Sequence, residues 1–328
     1  MMAGPALRIV ILGHAIPPIA WPLVWGFAGV LALLSLGALA AALLPLLRPG
    51  GDFTNLRQRV VSWWVMVTLL TLALGLGWQT TLVLFAVISF IALREFLSLA
   101  PARREDRLII LASYLVVPIN YAWIAINEYG IYLVFVPVWV FLTAAFLMAV
   151  AGQTRNYLQR AASFHWGQIA CVYAIGFAVF LMRTPPGEPM PAGPAGLVFL
   201  LLVATEANDV AQYVWGKLLG RRKILPSVSP NKTWEGFLGG WATTALLIWF
   251  AGPLYAPLAG VSLAIMAVLL PLAGFAGDVT MSAVKRDIGV KDTSQLIPGH
   301  GGLLDRIDSL TFTTPLYFHL MTFFALHR

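Results

Sequence analysis

Ser282 to Asp308 reads SAVKRDIGVKDTSQLIPGHGGLLDRID, and its place in the chain decides the fold. In a chain with 11% charged residues, this segment gathers Lys285, Arg286, Asp287, Lys291, Asp292, Asp305, Arg306 and Asp308 around the turn Pro298-Gly299-His300-Gly301-Gly302. One apolar run, 259–285, ends in it and another, 307–326, begins in it. Each is close to the ~20 residues that cross a bilayer. The charge therefore sits where two membrane spans meet an aqueous face.

Working outward, 59% hydrophobic residues and a mean hydropathy of +0.83 exclude a soluble domain with an ordinary polar surface. Further candidate spans cover 21–47, 59–77, 79–93, 108–126, 130–151, 164–183, 194–216 and 236–253, which makes about ten, the third being the shortest. The expected fold is an all-α polytopic integral membrane protein. It divides into an N-terminal scaffold of about six transmembrane helices (1–193) and a C-terminal catalytic membrane half of about four (194–328), with cytosolic loops at 217–235 and 286–306. The 328 residues leave no room for another large soluble domain. A single cysteine, Cys171 in an apolar run, excludes an intrachain disulfide and any multi-cysteine metal site. No cleaved signal peptide is expected, because the first apolar run is short and no small-residue cleavage site follows it.

The formal charge of +7 is set by topology rather than by a nucleic-acid partner, and none is expected. Of the 21 Lys and Arg residues, all but Arg8, Arg183 and Arg328 fall in the connections that follow odd-numbered spans. The positive-inside bias places those connections in the cytosol, both termini outside and the polar site at the cytosolic face, in a bacterial inner membrane. The Pro-rich stretch 184–194, TPPGEPMPAGP, becomes an outer connector between the halves.

Carboxylates inside spans are costly, and their default reading is functional. Asp209 shares a helical face with Tyr213, Gly216 and Lys217, and Asp278 shares one with Ser282 and Lys285. Both aspartates lie roughly 10 Å inward of a boundary lysine at 1.5 Å per residue. Asp305 and Asp308, three residues apart, open the last span. Any one of them could simply pair with a basic neighbour. Four at one depth must protonate or share a cation. Hard oxygen ligands suit Mg²⁺, and the neighbouring cations suggest a nucleoside triphosphate. The connection 216–236, GKLLGRRKILPSVSPNKTWEG, carries lysines, arginines and small hydroxyls that either cradle phosphate or touch anionic lipid headgroups. It lacks the spacing of a Walker A loop.

Lys285-Arg286, Lys291-Asp292, Pro298-Gly299-His300-Gly301-Gly302 and Asp305-Arg306 with Asp308 together resemble the signature of the phosphatidate cytidylyltransferase (CDP-diacylglycerol synthase) family. Upstream, Asp209, Tyr213, Lys217, the run Ser229-Pro230-Asn231-Lys232-Thr233 and Gly277-Asp278 are similar to it as well, so the likeness covers about 200–312. The resemblance implies that CTP and phosphatidic acid, or a related lipid phosphate, give CDP-diacylglycerol and pyrophosphate. It implies catalytic roles for Asp278, Asp305, Asp308, Lys285 and Arg286, and metal ligation by Asp278, Asp305 and Asp308 with Asp209. Mg²⁺ is the implied cofactor, with room for a second metal ion. Substrate contacts fall to Asp209, Tyr213, Lys217, Ser229, Pro230, Asn231, Lys232, Thr233, Lys291, Asp292, His300, Gly301, Gly302 and Arg306. Membrane lipids and a second copy of the chain, as a homodimer, complete the implied partners. Val210, Ala211 and Gln212, and Ser227 where a lysine is common, depart from the family pattern at the acceptor side. A transporter or a polyprenol kinase are the alternative readings. The D-G-x-x-A-R helix motif of CDP-alcohol phosphotransferases is absent.

Overall fold

A computed structural model describes residues 6–7, 10–11, 14–15, 19–47, 51–100, 106–183 and 190–326. Arg8, Arg48, Arg103, Arg104 and Arg328 of the charge pattern, and most of the Pro-rich connector, lie outside the described residues. Among the described residues nine helices are long and apolar enough to cross a membrane. They are α1 Trp21–Leu47, α2 Thr54–Leu76, α3 Trp78–Leu99, α4 Arg107–Ala125, α5 Tyr129–Val150, α6 Tyr157–Arg183, α7 Gly193–Leu219, α8 Trp234–Tyr255 and α9 Gly260–Ile288. The tenth expected span is split into a single turn, α10 Leu304–Ile307, and α11 Leu310–Leu326. The protein is an all-α polytopic integral membrane protein.

Helices follow the apolar runs because a backbone in hydrocarbon must satisfy its own hydrogen bonds. Their ends differ from the runs where packing decides. The third run stops at 93, yet α3 continues to Leu99 because Phe96 and Leu97 resume its buried face beyond Arg94 and Glu95. Two π-helical stretches, Phe135–Val140 in α5 and Ile169–Tyr173 in α6, widen the turn, the first around Pro137, which has no amide hydrogen to donate.

Short strands, which the all-helical expectation did not contain, flank the bundle. Ala6–Leu7 (β1) pairs with Ile19–Ala20 (β4) and, inside it, Val10–Ile11 (β2) pairs with His14–Ala15 (β3). In the basic connection after α7, Lys223–Leu225 (β5) and Ser229–Thr233 (β6) form a hairpin with Lys223 opposite Thr233. Thr233 then caps α8, its Oγ1 accepting from the Gly236 amide at 3.1 Å.

Helix α6 is the buried centre, with Cys171, Val172, Phe177, Ala178, Val179 and Phe180 fully enclosed. Helix α1 turns Leu33, Leu36, Leu39 and Leu46 outward, as a lipid-facing helix does. Lipid tails are as apolar as leucine, so association rests on close packing and interhelical hydrogen bonds. Helix α7 lies along α8 and touches α9 and α11, and α11 packs against α6 and α9. Polar ties mark these seams: Asn208 donates to the Pro271 carbonyl at 3.1 Å, and the Thr205 and Thr313 hydroxyls meet at 3.1 Å.

The basic connections share one face, as the charge alternation requires. Arg59 at the start of α2 bonds Gly299 after α9, and Arg286 bonds Val228 in the hairpin after α7. Arg160 after α5 forms a fully buried ion pair with Asp106 after α3. Glu95 at the end of α3 bonds Ser294 after α9. Arg183 lies at the opposite face, donating to the Ala125 carbonyl and standing over the Trp78 ring.

Candidate active site

The connection between α9 and α10 folds into a tight turn in which Ile297 and Gly301 pair, with Gly299 and Gly301 in the left-handed region. It closes a cavity of about 750 Å³ whose other walls are α2 and α7. Arg59, Lys291, His300 and Arg306 line it together with Glu206, Asp209, Asp292, Asp305 and Asp308, and Arg306 stands within electrostatic reach of Glu206 and Asp308. Asn55, Gln58 and Trp63 of α2 and Val210 and Tyr213 of α7 complete the rim.

The carboxylates converge because the helices come close. At Gly277 a Cβ would stand 2.7 Å from the Asp308 carbonyl and 3.0 Å from Ser309, so only glycine lets α9 bring Asp278 beside Asp308. Asp209, Asp278 and Asp308 are within electrostatic reach of one another. Two lysines enter among them. Lys232 from β6 stands 2.6 Å from Asp278 Oδ2, and Lys285 stands 2.7 Å from Asp305 Oδ1 and 3.8 Å from Asp308 Oδ2.

The carboxylates differ in what remains free. Asp305 accepts from Lys285 and, through Oδ2, from the Thr293 amide at 2.9 Å, the Thr293 hydroxyl at 3.0 Å and the Gly302 amide at 2.9 Å. Burial works to raise its pKa, but the Lys285 bond and charge and these amides outweigh it, and the group titrates below the ordinary 3.8. Oδ2 is fully engaged by these donors, and Oδ1 faces Lys285. The oxygen of Asp305 left for a cation is met by Lys285. Asp209 differs: its Oδ2 accepts from Ser309 at 2.8 Å, while Oδ1 is buried with no hydrogen-bond partner. Asp308 Oδ1 takes the Ser309 amide, leaving Oδ2 facing Lys285. Among the described residues, no group of three or more His, Cys, Asp or Glu stands close enough to hold a metal ion by itself. The ammonium groups of Lys232 and Lys285 already occupy the space between the acids. The open oxygens of Asp209 and Asp308 are nevertheless hard donors of the kind Mg²⁺ takes together with water and phosphate.

Other expected site residues have structural partners. Arg286 donates to the Val228 and Val290 carbonyls, tying hairpin to helix end. Lys217 stands over the Tyr213 ring at 5.9 Å rather than in the cavity. Thr233 caps α8, and Ser229, Pro230 and Asn231 lie in the hairpin strand outside the cavity. Gly302 packs behind the turn against Thr293 and Glu95. His300 lies edge-on to Trp63 with centroids 5.9 Å apart. Burial, with Arg306 and Arg59 nearby, holds its pKa below the ordinary 6.5.

The N-terminal half supplies residues that the motif reading missed. Arg59 Nε donates to the Gly299 carbonyl at 2.9 Å and Ser62 to the Pro298 carbonyl at 2.9 Å. Glu95 accepts from Ser294 Oγ at 2.7 Å, Thr293 Oγ1 at 3.2 Å and the amides of Leu303 at 3.0 Å and Leu304 at 2.9 Å. Glu206, one turn before Asp209, is itself an acid inside a span, and the reasoning that selected Asp209 selects it equally. For Glu95 the signal is weaker: apolar residues resume on its far side.

Fold and site define a polytopic membrane protein with a cavity at one face, lined by carboxylates and arginines. Residues 57–324 match the model of the cytidylyltransferase family, and the chain belongs to that family of nucleotidyltransferases. It is 42% identical over 277 residues to an Escherichia coli (strain K12) protein named "Uncharacterized protein YnbB", covering 84% of this chain and 89% of that one. It is 43% identical over 125 residues to the phosphatidate cytidylyltransferase of Mycobacterium leprae (strain TN), 37% of this chain and 38% of that one. The phosphatidate cytidylyltransferase of Brucella suis biovar 1 (strain 1330) is 37% identical over 160 residues, 49% of this chain and 58% of that one.

Proposed function

We propose that the protein transfers the cytidylyl group of CTP to phosphatidic acid or a closely related lipid phosphate, releasing pyrophosphate and forming CDP-diacylglycerol. The observation that carries this reading is the cavity lined by both cations and carboxylates. Arg59, Lys291 and Arg306 offer cations to phosphates, and Asp209 and Asp308 keep oxygens open in the same cavity. The exposed apolar residues Val210 and Tyr213 at its rim suit an acceptor whose tails stay in lipid. The names of the Mycobacterium and Brucella relatives support the same chemistry.

A lipid phosphate is anionic near neutral pH, so its oxygen attacks the α-phosphorus of CTP without a strong base. A new P–O bond forms as the bond to the β-phosphate breaks, and pyrophosphate carries away the electron pair. The obstacle is anion meeting anion, and cations placed in advance reduce it. Lys291, Arg306 and Arg59 draw the phosphates in, and Lys285, held by Asp305, brings a positive charge to Asp308. Asp209 and Asp308, with Asp278 beside them, would hold Mg²⁺, which would further neutralise the phosphate oxygens. His300 orients the turn and is not an obligatory base. The basic face lies in the cytosol, where CTP is available, in a bacterial inner membrane.

The test offers purified protein labelled CTP, Mg²⁺ and a panel of lipid phosphates in detergent, with products identified by mass spectrometry. A CDP-lipid and pyrophosphate are expected. A lipid monophosphate with CDP would identify a kinase instead, and no CTP-dependent product with any lipid would overturn the reading. Thiol labelling of Ser227→Cys from the cytoplasmic side alone checks the orientation.

A further inference from the structure

We infer that Glu95 is a positioning residue for the transfer reaction, fixing through Thr293 and Asp305 the Lys285 ammonium that faces Asp308. The inference rests on the proposed reading of the cavity, but its geometric part stands independently. Glu95 lies near the end of α3, within the family match but outside the motif residues of the second half, and it is 7% exposed. Four donor groups stand within hydrogen-bond reach of its carboxylate, all from the 293–304 segment. Two of these are the backbone amides of Leu303 and Leu304, where α10 begins. A carboxylate there meets the unsatisfied amides and the positive end of the helical turn that carries Asp305.

The contacts continue as a chain. The Thr293 hydroxyl stands 3.2 Å from Glu95 Oε2 and 3.0 Å from Asp305 Oδ2, and a hydroxyl has one hydrogen to donate between them. The Thr293 and Gly302 amides hold the same Asp305 oxygen. The other Asp305 oxygen holds Lys285 at 2.7 Å, and Lys285 reaches Asp308 at 3.8 Å. The path Glu95, Thr293, Asp305, Lys285, Asp308 thus runs from a membrane helix to the cavity wall. Glu95 faces Thr293, Ser294 and the α10 amides rather than the cavity. It acts through the groups it orients.

The experiment uses the full chain in detergent, with kcat and the KM for CTP measured for wild type, Glu95→Gln and Thr293→Val, and with Ser98→Ala on the same helix as a control. Hydrogen exchange at the Gly302, Leu303 and Leu304 amides is followed in each. Glu95→Gln keeps the side-chain shape but points amide hydrogens at existing donors. It is expected to lower kcat roughly tenfold or more, the scale of a displaced reacting group. The KM for CTP should move less than about threefold, since uniform binding is untouched, and the three amides should exchange faster. Thr293→Val should show the same split, and Thr293→Ser should recover the activity that Thr293→Val loses. Wild-type kcat in Glu95→Gln overturns the inference. So does a loss that only tracks the fraction of folded protein, with exchange in the folded fraction unchanged. If Glu95→Gln does not fold, Thr293→Val and Thr293→Ser decide by the same measurements. If wild type makes no CDP-lipid, the proposed function fails, and the exchange comparison alone decides whether Glu95 holds the turn.

Discussion

Lys285 stands 2.7 Å from Asp305 and 3.8 Å from Asp308, one ammonium serving two carboxylates at the junction of α9 and α10. The nearer acid meets protein donors at both oxygens, and the farther one keeps an oxygen open. Asp305→Asn removes the charge that holds Lys285. Breaking a buried pair on one side costs about 3–5 kcal/mol. Unfolding in detergent should show a loss of that order, and transfer should fall at least tenfold even where the protein remains folded.

Metal dependence should map onto the acids with open oxygens. Chelation is expected to abolish CTP-dependent transfer, and Mg²⁺ to restore it. Asp308→Asn and Asp209→Asn should raise the Mg²⁺ concentration for half-maximal rate by about tenfold or more, as loss of a ligand does. Titration of activity with Mg²⁺ checks this, and an unchanged midpoint in both variants would remove these acids from the metal site.

Gly302 tolerates no side chain. A Cβ there would collide with Thr293 Oγ1 and stand 2.6 Å from Glu95 Oε2 and 3.0 Å from the Ser294 amide. Gly302→Ala should cost about 1–3 kcal/mol as overpacking does, and should lower kcat with it because the turn must shift. Melting curves and steady-state rates on the same preparation test both effects.

His300 provides a pH signature. Its folded pKa lies below 6.5 through burial and the nearby Arg306 charge, so below pH 6.5 the unfolded chain takes up the proton more readily than the folded one. The stability associated with neutral His300 is complete above 6.5 and is lost as pH falls through the folded value. His300→Gln should flatten that acid limb of the melting temperature while keeping transfer within a few-fold of wild type. Loss of chemistry with CTP binding intact would contradict the role given to His300.

The buried Arg160–Asp106 pair offers a control outside the cavity. Arg160→Met should lower the unfolding midpoint, because the buried Asp106 loses its Arg160 partner. The KM for CTP in the folded fraction should stay at the wild-type value. Paired unfolding and kinetic measurements decide.

Much of the bundle was readable because apolar length is a local property. The runs at 21–47 and 130–151 match α1 and α5 to within a residue. The third run fell short because its last turn carries the exposed Arg94, and Glu95, whose burial depends on the amides at the start of α10, some 200 residues away in sequence. Within the site, the acids at helical spacing identified Asp209, Asp278, Asp305 and Asp308, and three of them line the cavity. Lys217, Arg286 and Thr233 have the right chemistry and spacing for phosphate, but the structure turns them to a ring, two carbonyls and a helix cap. Residue type states what a side chain can bind. Only its neighbours state what it does bind.

By itself the sequence determined that the chain crosses a membrane, that its basic connections share one face, and that Ser282 to Asp308 lies there with signature residues of a cytidylyltransferase. These follow from hydropathy, helical period and motif spacing, all short-range along the chain. Tertiary structure alone decided which acids are satisfied and which stay open, and that α2 and α3 grip the turn between α9 and α10. The physical reason is that a carboxylate's role depends on the donors around it. Here those donors come from segments as far apart as Glu95 and Leu304, brought together by packing that no local pattern encodes.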